Sequence, residues 1–147
     1  MKCILAAVDG SEASMREVEL AADLAARFQS ELILVGVVEH GEPPSWALAE
    51  YVRLDQMRGT MPQLAEAFAR DALKKARARA ETRDAGKIRS ETRFGDAAQE
   101  VLKLRDEINA DAIVVGSRGQ SRLAGLLLGS VSQKIASLAP CAVVIAR

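Results

Sequence analysis

The chain has 147 residues, of which 49% are hydrophobic and 3% aromatic, so one domain over residues 1–147 with an aliphatic core is expected. Its 20 basic and 20 acidic residues cancel, and without a positive surface neither nucleic acid nor an anionic membrane is an expected partner. A single histidine and two cysteines leave almost nothing for a zinc site or a Ser-His-Asp triad, so no metal bound by protein side chains is expected.

The first predicted element is a buried strand. Residues 3–8, CILAAV, form a continuous apolar run, which is typical of a strand that is covered on both faces. The run is too short for the core of a signal peptide, and no later run approaches the roughly 20 apolar residues of a membrane span. A soluble, cytoplasmic protein is therefore expected.

A helix and a second strand follow. Ser14 and Glu17 have the spacing of a capping box, and the apolar face of the helix continues to Phe28. Residues 32–38, LILVGVV, predict another buried strand. Residues 39–61 show no clear period, although a helical turn is predicted around residues 47–54. This segment holds Trp46 and Tyr51, which either cover a pocket or pack as ordinary loop residues.

The C-terminal half continues the alternation of strands and helices. Pro62 suits the first turn of a long helix that ends near Arg83. The remaining predicted elements are a strand at residues 88–94, a helix at 96–108, a strand at 112–115, a glycine-punctuated loop at 116–129, a helix at 130–138 and a strand at Ala142–Ala146.

This alternation predicts an α/β fold with a parallel sheet and helices on both faces, because consecutive parallel strands need right-handed crossovers. Ligands of such sheets bind beyond the carboxyl ends of the strands, where the strand order reverses. The residues after the first, second and fourth strands are therefore the candidates for a binding site.

A glycine motif lies between the fourth strand and the last helix. Gly116, Gly119, Gly129 and Ser130 form the pattern G-x2-G-x9-G-S. Glycines let the backbone approach a ligand closely, and the start of a helix attracts an anion such as phosphate. In the alternative interpretation, Gly119 and Gly129 only shape turns. No G-x4-G-K-[ST] sequence is present, so the chain is not a P-loop NTPase.

Three stretches of the chain resemble the universal stress protein family. They are ILAAVDGSEAS at residues 4–14, GDAAQEVLKLRDEINADAIVVGSRG at 95–119 and LLLGSVSQKIASLAPCAVVIAR at 126–147. The resemblance covers nearly the whole chain, and the intact glycines are those of the ATP-binding branch of the family. It implies an adenine-nucleotide alpha-hydrolase-like (Rossmann-like) three-layer sandwich, with a five-stranded parallel sheet of order 3-2-1-4-5.

The resemblance also implies roles for individual residues. By this resemblance, Asp9 contacts the nucleoside, Ala7 and Val8 line the base, and the Val37 backbone pairs with the adenine edge. Val115 and Gly116 line the ribose. Gly119 and Gly129 approach the phosphates, and Ser130 and Val131 bind them. Arg118 and Arg122 are extra phosphate contacts or point to solvent. Two further alternatives remain open: Asp9 as a cap or turn residue, and Val37 as a core residue alone.

The expected function is ATP binding by a stress-response switch, with Mg²⁺ or Mn²⁺ on the phosphates. Hydrolysis is expected to be slow at most, because no general base is evident beyond Asp9 at the nucleoside end. The uncharged last strand, Ala142–Ala146, is expected to lie at a sheet edge and to form a homodimer by antiparallel pairing. The alternative function is a dimeric interaction module that works without nucleotide.

Overall fold

The computed structural model describes residues 1–54, 58–117 and 128–147 of the chain. Strands and helices alternate through these ranges, with one additional helix after the second strand. The elements are β1 (Cys3–Val8), α1 (Glu12–Phe28), β2 (Glu31–Val38), α2 (Ser45–Arg53), α3 (Met61–Glu81), β3 (Ile88–Phe94), α4 (Ala97–Ile108), β4 (Ala112–Gly116), α5 (Ser130–Leu138) and β5 (Ala142–Ala146).

The five strands form one parallel sheet in the order β3-β2-β1-β4-β5. In the centre of the sheet, Leu5 of β1 is level with Ile33 of β2 and with Ile113 of β4. The order reverses at β1, because the chain moves outward from β1 to β3 and then returns to the other side for β4. The predicted fold class and strand order are confirmed.

Alternate residues of the central strands face two separate cores, as the pleat of a strand requires. Ile4 and Ala6 of β1 pack with α1 and α3 on one face of the sheet. Leu5 of β1, with Ile113 of β4, packs with α4 and α5 on the other face. The helices therefore cover both faces, as the alternation of elements predicts.

The start of α1 differs from the sequence prediction. Ser11 is the N-cap residue, and its side chain accepts a hydrogen bond of 3.2 Å from the Ser14 N–H. Ser14 and Glu17 therefore lie within the helix, on its buried face, and the predicted capping box is wrong. The helix begins earlier because the turn after β1 already supplies a capping hydroxyl. At the other end, Phe28 is 52% exposed and does not join the buried face.

The segment after β2 is more regular than its sequence pattern indicates. The predicted helical turn is the nine-residue helix α2. Thr60 then caps α3 in a true capping box: its Oγ1 accepts from the Gln63 N–H, and Gln63 Oε1 accepts from the Thr60 N–H. Pro62 lies in the first turn of α3, as predicted.

The C-terminal elements agree with the predictions to within one residue. β3, α5 and β5 have the predicted bounds, and β4 extends one residue further, to Gly116. The Gly129 N–H donates a 2.7 Å hydrogen bond to the Ser117 carbonyl, so the exit of β4 is tied to the start of α5. Among the described helices, none has the length and apolar character needed to cross a membrane.

Candidate functional site

A cavity of about 440 Å³ lies at the carboxyl ends of β1, β2 and β4. This is the edge of the sheet where the strand order reverses, and the volume falls in the range of small-molecule sites, about 300–1,000 Å³. The walls come from the ends of these three strands, the turn after β2, the inner face of α3 and the start of α5.

Nine of the predicted site residues line this one cavity. They are Ala7, Val8, Asp9, Val37, Val115, Gly116, Gly129, Ser130 and Val131. The other two, Arg118 and Gly119, lie outside the described residues, as does Arg122. The structure therefore brings together residues that are more than 120 positions apart in the chain, although their contacts with a ligand remain predictions.

One wall of the cavity is apolar. Val37 and Val38 from the end of β2 line it together with Ala65 and Phe68 from α3, and Val38 packs with Ala65 in a small buried cluster. The ring of Phe68 is also packed edge-on against Trp46, with 5.2 Å between ring centroids and an interplanar angle of 79°. Trp46 itself is 42% exposed and does not line the cavity, so it supports Phe68 from the outer side of the wall. A flat, apolar ring system such as a nucleobase would fit this wall.

The turn between β2 and α2 forms a second side of the cavity, which the sequence pattern left undefined. His40 and Pro44 line it, together with the carboxylates of Glu39 and Glu42. Glu39 Oε1 accepts a 3.0 Å hydrogen bond from the Ala97 N–H at the start of α4, which fixes the turn to the opposite layer. This segment therefore shapes the pocket, although Trp46 and Tyr51 are not among the residues that line it.

The start of α5 forms the polar end of the cavity. Gly129 is the N-cap residue, and the N–H groups of the next three residues lack intrahelical acceptors by the geometry of any helix. The Ser132 Oγ donates to the carbonyls of Ser117 and Gly129, at 3.4 and 3.3 Å, and so holds the first turn in place. Free N–H groups and the helix dipole make this end suitable for an anion.

Asp9 combines two roles that the sequence analysis treated as alternatives. Its Oδ1 accepts a 2.8 Å hydrogen bond from the Ser11 N–H, which stabilises the turn between β1 and α1. The same residue lines the cavity. A turn role therefore does not remove Asp9 from the site.

Glu17 is a cavity residue that the sequence analysis missed. It lies on α1, lines the cavity and is only 6% exposed. Burial, together with the nearby negative charge of Asp9, raises the pKa of Glu17 from 4.5 to about 8, against a smaller opposing effect of the hydrogen bond from the Gly116 N–H. A signal was available: Glu17 lies one turn before Ala21, on the inward stripe of the helix.

Glu17 also explains why position 116 is a glycine. A Cβ atom on Gly116 would lie 1.8 Å from Glu17 Oε1 and 2.5 Å from its Cδ. The missing side chain therefore makes room for a carboxyl group of the protein, in addition to any close approach by a ligand.

The cavity thus combines an apolar wall with a helix start that suits an anion, but the charged side chains of its described lining are acidic. Its described lining contains four carboxyl groups, those of Asp9, Glu17, Glu39 and Glu42, and no lysine or arginine. Within the described ranges, no group of three or more His, Cys, Asp or Glu side chains is arranged to hold a metal ion.

Comparisons with known proteins indicate a family for the whole chain. The sequence model of the universal stress protein family matches residues 1–147. Universal stress protein YxiE of Bacillus subtilis is 31% identical over an alignment that covers 98% of this chain and 97% of YxiE.

Solved structures show a similar fold. UspA from Lactobacillus plantarum has a TM-score of 0.81 at 24% identity, over 99% of this chain and 97% of the other. A universal stress protein solved in complex with cAMP has a TM-score of 0.72 at 29% identity, with the same coverage of both chains, 99% and 97%.

Proposed function

The chain belongs to the universal stress protein family, and on that premise we propose that it binds an adenine nucleotide in the cavity at the ends of β1, β2 and β4. The preferred ligand in this proposal is ATP, with Mg²⁺ or Mn²⁺ on its phosphates. The observation that carries the proposal is the continuity of one cavity from an apolar wall to the start of a helix.

The two ends of the cavity suit the two ends of a nucleotide. The wall of Val37, Val38 and Phe68 suits the base, and the N–H groups that begin α5 suit the phosphates. Gly116 and Val115 lie between them, where the ribose would be. The relative at 29% identity was solved with cAMP, an adenine nucleotide, which supports the same ligand class for this chain.

A divalent cation suits the charges of this site. A polyphosphate would lie in a cavity whose described lining holds four carboxyl groups and no lysine or arginine. Mg²⁺ typically binds substrate phosphates with one or two carboxylates and water, and it would reduce the repulsion between the phosphates and the lining. The metal would thus arrive with the nucleotide.

The proposed role is a stress-response switch rather than an efficient ATPase. Rapid hydrolysis needs a positioned water molecule and neutralisation of the γ-phosphate. Asp9, the candidate base named from the sequence, already accepts a hydrogen bond in the β1–α1 turn. Slow hydrolysis at most is therefore expected, with the bound nucleotide changing which partners the protein contacts.

The first test is to denature the purified protein and analyse the supernatant for nucleotide by chromatography and mass spectrometry. ATP or ADP near one molecule per chain would support the proposal. A chain that is empty as purified is tested again by thermal shift with added Mg-ATP. If no nucleotide co-purifies and Mg-ATP does not raise the melting temperature, the nucleotide-independent interaction module becomes the better description.

Gly129→Val tests the location of the site. Gly129 has φ −71° and ψ 162°, which any residue can adopt, so the backbone should tolerate the change while the added side chain intrudes on the cavity. We expect the variant to keep its fold and lose Mg-ATP binding by calorimetry. Gly86→Val, at a glycine whose Cβ would meet nothing within 4 Å, is the control. Unchanged affinity in Gly129→Val would exclude this end of the cavity as the phosphate site.

A further inference from the structure

Glu17 is a buried ionisable group inside the cavity, and nucleotide binding as proposed above assigns it no role. It is 6% exposed, and its carboxyl group is packed against Gly116, where the ribose would lie. A ligand that fills the cavity between the apolar wall and α5 therefore passes this carboxyl group. Its charge state must matter to a ligand that is itself negatively charged.

The charged groups around Glu17 are mostly negative. Asp9, at the end of β1, raises the pKa of Glu17, and the cationic Arg16 beside it on α1 has a smaller opposite effect. On the β2 side of the cavity, Glu39, His40 and Glu42 are the other titratable residues among those of the lining that the structure describes. β4 and the start of α5 contribute Gly116 and the uncharged residues 129–132. An ionised Glu17 would thus add a negative charge to a cavity that already holds carboxylates such as that of Asp9. The phosphate of a bound nucleotide would bring a further negative charge close to it.

Given that an adenine nucleotide occupies the cavity, we propose that Glu17 is protonated in the complex, so that nucleotide binding is coupled to the uptake or retention of one proton at this carboxyl group. The neutral carboxyl lies near the ligand without repelling its phosphate and retains an O–H donor for the phosphate oxygens. Glu17 is then a specificity-determining residue, because it couples affinity to the charge of the ligand and to pH.

The direction of this coupling follows from linkage. Burial and Asp9 already raise the pKa of Glu17 to about 8, and a nearby phosphate would raise it further in the complex. Protons then favour binding, so affinity is highest below about pH 8 and falls above it. The effect requires ligand charge, so adenosine, which carries no phosphate, should bind with little dependence on pH.

The test is the dissociation constant of AMP and of adenosine, measured without metal by calorimetry between about pH 7.5 and 9.5, a range that lies above the second phosphate pKa of about 6. For AMP and the unaltered protein, we expect the affinity to fall by up to about tenfold per pH unit above pH 8. Glu17→Gln keeps the shape of the side chain and removes its titration, so its AMP affinity should be flat. Glu12→Gln, on the same helix but exposed, is the matched control and should behave as the unaltered protein.

The experiment distinguishes a failure of the proposed function from a failure of the coupling to Glu17. If the unaltered protein binds neither AMP nor Mg-ATP at any pH, the proposed function fails. If it binds AMP with an affinity that does not change with pH, or if Glu17→Gln retains the full change, the coupling to Glu17 is wrong.

If Glu17→Gln misfolds, the proposal can still be tested by a measurement on the unaltered protein. The ¹³C carboxyl resonance of Glu17, followed by NMR with and without AMP, should titrate well above the ordinary range of Glu and move to higher pH on binding. A resonance that titrates at the same pH in both states would overturn the proposal.

Discussion

At the scale of single residues, Glu17 places a carboxyl group on the inward face of α1, among residues such as Val18 and Ala21 that are completely buried. Such a group is neutral when it is protonated and costly to keep in place when it is ionised. The native state therefore binds a proton more tightly than the unfolded chain does, and this difference affects stability as well as binding.

We expect Glu17→Gln to stabilise the protein in a pH-dependent way. Between pH 4.5 and about 8 the native Glu17 holds its proton while the unfolded one releases it. The contribution of Glu17 to native stability therefore falls across this window, and it levels off above pH 8. The gain from Glu17→Gln should grow from near zero below pH 4.5 to at most roughly 5 kcal/mol above the window, since the pKa rises from 4.5 to about 8 and one pKa unit is about 1.4 kcal/mol. Urea unfolding at several pH values measures it, and a gain that is equal at all pH values would contradict the pKa.

Gly10 is the residue that permits the tight turn after β1. Its φ is +81°, and an added Cβ would lie 2.6 Å from Phe68 Cζ. Gly10→Ala combines backbone strain with a clash against the cavity wall, and we expect it to lower the free energy of unfolding by roughly 1–3 kcal/mol. Gly86→Ala, at an open position, should change it by less than about 1 kcal/mol. Equal effects of the two changes in denaturant unfolding would refute this account of Gly10.

At the scale of elements, α3 supplies much of the apolar wall of the cavity, and its start is held by the Thr60–Gln63 capping box. Thr60→Ala removes the hydroxyl that accepts from the Gln63 N–H, so stability should fall by about 1 kcal/mol. Thr60→Ser keeps the hydroxyl and should retain most of that stability. Thermal unfolding followed by circular dichroism tests both, and a loss in Thr60→Ser equal to that in Thr60→Ala would assign the effect to the lost methyl group instead.

The elements that sequence reasoning located best are those with a strong local cause. β1 and β4 are continuous apolar runs because they are buried on both faces, and β5 is an apolar run that follows Pro140. The start of α1 was misplaced because Ser14 and Glu17 mimic a capping box, although their positions belong to the inward stripe of the helix.

The residues of the candidate site also fall into two groups, those that the sequence indicates and those that only the fold brings to the cavity. Gly116 and Gly129 could be named from the spacing of the glycine motif, and Asp9 from the resemblance to the family. Phe68 reaches the cavity only through tertiary packing, since it lies within α3 and far along the chain from these strand ends. No local pattern distinguishes such residues from ordinary core or loop residues, and only the fold brings them to the site.

At the scale of the whole molecule, the sheet has two edges of different character. The β3 edge carries Arg89, Glu91 and Arg93, and charged side chains protect an edge strand from pairing. The β5 edge, AVVIA, carries no charge. The Ala146 carbonyl accepts a hydrogen bond from the Ser117 N–H, so the backbone polar groups of Ala146 point toward β4. Because these groups point to opposite sides in successive residues of a strand, the N–H groups of Val143 and Ile145 point toward the open edge.

We expect the protein to form a homodimer by antiparallel pairing of β5. Light scattering should give twice the chain mass, and hydrogen exchange should show protected amides at Val143 and Ile145. Ser90 and Thr92, whose amides face outward at the β3 edge by the same alternation, provide the internal comparison and should exchange quickly. A monomer in which both edges exchange at similar rates would exclude this dimer.

The hydrogen bond from the Gly129 N–H to the Ser117 carbonyl has a consequence for how the family can diversify. It joins the residue after β4 to the N-cap residue of α5, and so helps to hold the start of the helix beside the end of the strand. The free-energy penalty for closing a longer connection is small, about 0.6 kcal/mol for each doubling of its length. Moderate changes of length between these points should therefore cost little stability, whereas replacement of Gly119 would remove a predicted phosphate contact.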